Sequence, residues 1–117
     1  MTRQAFADAL DTVTGVAGHL VQPSAPVPGQ GWPQWVQTRY VSTSCGPRPD
    51  GSEWEVLVVL PVLNPTAGDA LRDTIAEALG AVGTVELAEP GTLELAADWT
   101  QPAPIIRYTV EVNEGTA

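Results

Sequence analysis

Lysine is absent from this chain of 117 residues, and five arginines stand singly at positions 3, 39, 48, 72 and 107. Fourteen carboxylates oppose them, for a net charge of −9. Affinity for nucleic acid comes from clustered cations that displace counterions from phosphates, so a general nucleic-acid binder is excluded. The single cysteine, Cys45, forbids an internal disulfide. With the single histidine, His19, it falls short of the four ligands of a structural zinc site. The longest apolar run, VLVVLPVL at 56–63, is far too short to span a membrane. The opening MTRQAFADAL lacks the apolar core of a signal peptide. These shortages predict a soluble protein made in a cytoplasm. Missing lysine beside abundant Ala, Gly, Pro and Val matches the coding bias of a GC-rich genome.

What is present suits one globular domain over 1–117. Hydrophobic residues make up 44% and charged residues 16%, a folded rather than a disordered composition. A chain of this length buries roughly two-thirds of its unfolded surface, enough for one core without staples.

Periodicity predicts eight elements. Phe6, Leu10 and Val13 recur at i, i+4 and i+7, which predicts a helix over 2–13 with Thr2 as its cap and Gly15 as its stop. The Gly/Pro-rich stretch 14–31 follows, with 19–27 as a weak edge strand. Residues 34–43 read as a strand whose alternation puts Trp35, Gln37, Arg39 and Val41 on one face, with Trp32 just outside it ahead of Pro33. CGPRPDGS at 45–52 reads as a turn cluster centred on Asp50-Gly51. Residues 53–63 are apolar on both faces and predict a central strand. A second helix over about 66–82 carries Leu71, Ile75, Leu79 and Val82 inward, with Thr66 and Asp69 in a capping box and Gly83 ending it. Strands at 84–88 and 93–97 flank a turn at Glu89-Pro90-Gly91-Thr92, and a last strand covers 105–112. The order predicts an α+β fold: a mostly antiparallel sheet of about four to five strands with two helices packed on one face. Leu57, Val59, Leu71, Ile75, Leu79 and Tyr108 form the expected core between sheet and second helix.

A search for chemistry leaves little. His19 has no serine in a nucleophile-elbow context, and Cys45 precedes a Gly-Pro turn without a reactive-cysteine signature. Both read as incidental. Glu53 with Glu55, and Asp69 with Asp73, are carboxylate pairs, yet they lack the ligand spacing of a cation loop and read as solvated acidic faces. GQGW at 29–32 does not join a strand to a helix and leads into a proline, so it is no phosphate loop. The pattern therefore predicts no enzyme, no metal and no cofactor. Trp32 on its Gly/Pro loop carries two readings, a cap on the core or an anchor for a protein partner. Trp32, Trp35, Arg39 and Arg48 are the candidate interface residues, since Trp and Arg anchor interfaces most often.

Taken in order, RQAFADAL, WPQW, WEVLVVLP, TAGDALRDTIAEALGAVG, VELAEP and YTVEV resemble the small tail-terminator (head–tail joining) proteins of long-tailed phages infecting actinobacteria. The resemblance covers nearly the whole chain and consists of hydrophobic patterns rather than catalytic signatures. It implies a structural virion protein of tail and neck, assembled in the bacterial cytoplasm. The protein would form a homohexameric ring on the end of the tail tube, stop tube polymerisation and join the tail to the head connector. Its partners would be the tail-tube protein, head connector or neck proteins and other copies of itself. DNA would only pass through the lumen, and no membrane is involved. Other readings stand beside it: another neck or minor tail protein of the same virion, a small non-viral ligand-binding or regulatory α+β domain, or a small hydrolase.

Overall fold

The computed structural model describes residues 2–24, 26–60, 65–93 and 103–113. Two helices, α1 (Thr2–Asp11) and α2 (Pro65–Leu79), accompany five strands. These are β1 (Ala17–Gly18), β2 (Gln30–Thr43), β3 (Gly46–Val59), β4 (Thr84–Leu93) and β5 (Ala103–Asn113). They form one sheet in the order β1-β2-β3-β5-β4, antiparallel except for the short β1–β2 pairing. This is the α+β class that the periodicity predicts.

One face of the sheet carries the helices. Phe6, Leu10 and Val13 from α1 and the turn beyond it, and Ile75 and Leu79 from α2, pack with Trp54, Val56 and Val58 of β3 and Ile106, Tyr108, Val110 and Val112 of β5. All are buried, as the 3.6-residue and two-residue periods require. Trp54 fastens α1 to the sheet. Its ring lies 5.7 Å from Phe6, the Arg3 guanidinium sits 5.2 Å above it, and its Nε1 donates to buried Ser52 Oγ at 2.8 Å. The helix also comes very close to the backbone beneath it. A Cβ placed on Gly18 would meet the Ala7 carbonyl carbon at 2.7 Å, so only glycine fits there.

A second, smaller cluster occupies the opposite face: Trp32, Leu57, Val59 and Ile105, each at most 3% exposed. Leu57 and Val59 are therefore core residues, but not between the sheet and α2 as expected, because alternation along β3 turns them away from Trp54, Val56 and Val58. Leu71 is only partly buried at the rim of the helix-side cluster.

Several boundaries differ from the sequence reading, each for a local reason. The edge strand expected over 19–27 reduces to Ala17–Gly18, parallel to Gln30 and Gly31. β2 begins before Pro33 rather than after it, and Trp32 lies inside the strand opposite Leu57. The proline is tolerated because β2 is an edge beyond its two residues of pairing with β1. Asp50-Gly51 and Pro90-Gly91 are not turns; the first lies within β3 and the second within β4. The β2–β3 turn is instead Ser44-Cys45, where Gly46 supplies the positive φ of 105°. α2 starts at Pro65, whose missing N–H is harmless in a first turn, so Thr66 is helical rather than a cap. The stretch 94–97, expected as a strand, lies outside the described residues.

Tyr108 ties the layers together by donating its hydroxyl hydrogen to the Arg72 carbonyl of α2 at 2.8 Å. Burial raises its pKa well above the ordinary 10; the Arg72 charge opposes the shift and Asp73 adds to it. The protonated phenol is thus favoured in the folded state. Its contribution is full below the unfolded value and is lost as pH rises toward the folded one. Denaturant midpoints measured from about pH 8 to about pH 11 should fall at the alkaline end, and Tyr108→Phe should flatten that fall.

Candidate interaction surface

The β2–β3 hairpin outruns the sheet. β5 pairs with β3 only from Gly51 onward, and β1 touches only the first two residues of β2, so residues 40–49 stand as a bare two-stranded ribbon. The ribbon makes the molecule long, with extents of 53 × 31 × 20 Å. Its radius of gyration of 15.4 Å compares with about 13 Å for a compact chain of this length. A lone two-stranded ribbon is marginal in water, and this one leaves apolar side chains uncovered. Tyr40 is 62% exposed and Val41 37%, and Trp35 and Val36 near its base are 57% and 42%. They do not share one face: Trp35 and Tyr40 lie on the side of Trp54, and Val41 points to the opposite side. Up to Gly51, where β5 begins to cover β3, the ribbon holds one cation, Arg48, and one carboxylate, Asp50.

Of the four candidate interface residues, the structure brings three to this hairpin. Trp35 is exposed, its Nε1 donating to Thr38 Oγ1 at 2.8 Å. Arg48 is exposed on the ribbon opposite Val41. Arg39 reaches across β3 over Gly51 to an ion pair with Glu111 of β5, which clamps the ribbon's base. Any side chain at position 51 would lie in its path, since a Cβ there falls 2.7 Å from an Arg39 guanidinium nitrogen. Trp32 is different. It is fully buried in the second cluster and therefore a core residue, which answers the open question about it.

Trp35 and Gln37 do not share a face, contrary to the alternation expected from the sequence. A bulge at Val36 lets Trp35 pair with Trp54 and Gln37 with Glu53, which point to opposite sides. Val36, Tyr40 and Val41 were not among the candidates. The signal that could have found them is Pro47 and Pro49, which face Ser42 and Tyr40. Two prolines in one strand mark a length with an open edge, and so a partner strand with little cover.

The groups with catalytic potential stay apart. His19 donates its backbone N–H to Gly31 at the start of β2, while Cys45 is exposed at the hairpin turn. By strand rise the two lie on the order of 40 Å apart. Three of the four paired carboxylates face arginines. Asp69 and Asp73 accept from Arg72 at 3.2 and 3.0 Å, and Glu55 lies 3.6 Å from Arg107 on the helix-free face. Among the described residues no group of three or more His, Cys, Asp or Glu side chains could hold a metal ion. No helix there is long and apolar enough to cross a membrane.

No protein-family model matches the chain, and no curated protein matches it significantly.

Proposed function

We propose that the protein is a structural subunit of a phage tail, a tail terminator that rings the end of the tail tube and joins it to the head connector. The observation that carries this reading is the protruding ribbon, with Trp35, Val36, Tyr40 and Val41 exposed on its two faces. A monomer gains nothing from holding these side chains in water, whereas a subunit of an assembly buries them on its neighbours. The order of elements that resembles tail terminators supports the same reading. So does the helix-free face of the sheet, where Glu53, Glu55, Glu89 and Glu111 outnumber Arg39 and Arg107. A lumen lined by such a face repels passing DNA rather than gripping it.

Deleting the gene from the phage that encodes it tests the role. Full heads beside overlong or unjoined tails are expected in electron micrographs. Tails of normal length attached to heads would overturn it.

A further inference from the structure

We propose that the outer edge of β2 over residues 37–43 binds an extended, acidic segment of another protein as an added strand. The ribbon has two long edges, and they differ. On β3, Pro47 and Pro49 pair with Ser42 and Tyr40. A proline has no N–H to give, so these are the pairs of an antiparallel ladder whose main-chain groups point away from each other. Pro47 and Pro49 therefore fill the outward-facing positions of β3 and leave that edge of the ribbon without a donor at either. By the same geometry Tyr40 and Ser42, and Thr38 two residues earlier, direct N–H and C=O over the opposite edge.

The edge of β2 is used at its start. The Gly31 carbonyl accepts from the His19 N–H at 2.8 Å, and the Pro33 carbonyl accepts from Arg3 at 3.3 Å. Past the Val36 bulge no strand of the described residues lies beside it. The sequence there, QTRYVST, is rich in β-branched and aromatic residues. It holds no proline or lysine, and the second irregularity of the pair, at Asp50, lies on β3. The devices that keep edges from pairing thus shut one side of the ribbon and spare the other, as strand addition requires.

Charge selects the occupant. No carboxylate occurs between Asp11 and Asp50, whereas Arg39 and Arg48 both fall in that stretch. Arg39 keeps Glu111 as a partner with its side chain half exposed, and Arg48 is exposed. Both share the helix-free side with Val41, while Trp35, Thr38 and Tyr40 take the side of Trp54. The fitting strand alternates acidic residues beside Arg39 with apolar ones beside Trp35 and Tyr40. It comes from a different protein. β4, the far edge of the sheet, is closed by Pro90 and the bulge at Glu86, and two β2 edges paired together would gather their arginines on one face. The site needs neither a ring nor a tail tube.

The probe is a short blocked peptide of alternating valine and glutamate, with a lysine-for-glutamate version beside it. Amide hydrogen exchange of the whole protein is followed by NMR with and without each peptide. The glutamate peptide should slow exchange at Thr38, Tyr40 and Ser42 more than at Arg39 and Val41, which face β3. Added salt should weaken its binding, and the lysine peptide should bind severalfold less well. No binding of the glutamate peptide, protection only elsewhere, or equal binding of the lysine peptide would overturn the proposal. Two variants give a second arm. Thr38→Pro with Ser42→Pro shuts the edge in the manner of Pro47 and Pro49 and spares the bonds to β3. Binding should be lost while circular dichroism stays that of the parent. Arg48→Glu, at an exposed position, should reverse the preference between the two peptides. Binding that survives the prolines, or a preference untouched by Arg48→Glu, sinks the idea. Should the proline variant fail to fold, the exchange map on the unaltered chain decides. None of these readouts involves a tail, so the strand site and the terminator role can fail separately.

Discussion

Trp32→Ala should lower the stability of the folded domain by about 3–5 kcal/mol, the usual cost of emptying a large aromatic site. The indole is fully buried against Leu57, Val59 and Ile105. Its loss leaves a cavity that the rigid sheet cannot close, because Leu57 and Val59 are held by β2 on one side and β5 on the other. The Trp32 Nε1 finds no acceptor among the described residues. Trp32→Phe should therefore cost much less, since it keeps most of the ring and removes an unsatisfied N–H. Trp35→Ala, three residues on, should change stability by about 0.5 kcal/mol or less because its ring is exposed. Urea titrations of the three variants separate these outcomes. A Trp32→Ala midpoint near that of the parent would show that the helix-free face has no core of its own.

Ile75→Ala should cost about 2–5 kcal/mol, the upper part of the range if the cavity stays open. Ile75 and Leu79 are the two fully buried side chains of α2, one turn apart on the stripe facing β5. Further attachments of the helix among the described residues include the Tyr108 hydroxyl on the Arg72 carbonyl and the partly buried Leu71, Ala76 and Ala78. With total domain stabilities of about 5–15 kcal/mol, one such substitution unfolds a sizeable fraction of a marginal protein. A denaturation midpoint unmoved by the change would mean that α2 contributes little to holding the sheet.

The elements that were legible in the sequence are those whose pattern reports burial directly. The run through Val56–Val59 is apolar at every position because β3 lies between β2 and β5 with a cluster on each face. The stripe of Ile75 and Leu79 is legible for the same reason. The misplaced features are those in which local chemistry is overruled by neighbours. Asp50-Gly51 has strong turn propensity, but there the chain is paired on both sides, Gly51 facing Arg39 and Asn113. Glycine serves at that point by making room for the Arg39–Glu111 ion pair, a use no local pattern encodes. Trp32 was ambiguous because a proline beside a tryptophan marks a loop lip or an edge strand equally well, and only the position of β1 decides between them. The Val36 bulge is invisible to an alternation rule, yet it decides which way every later side chain of β2 points.

The strand order has a consequence for how the protein is made. β5 lies between β3 and β4, although it is the last of the five to be synthesised. Until residues 103–113 emerge from the ribosome, β4 has no strand beside it, and the edge of β3 that β5 will cover stays open with Val56 and Val58 poorly shielded. Helix α2 then has half a floor to rest on, since Ile106, Tyr108 and Val110 are still missing. Completing the sheet therefore awaits residues 103–113, which join β4, their neighbour in sequence, to β3, which ends far earlier, at Val59. An interrupted translation product that stops before residue 103 carries an unpaired apolar edge rather than a smaller stable domain, and such a product aggregates or is degraded.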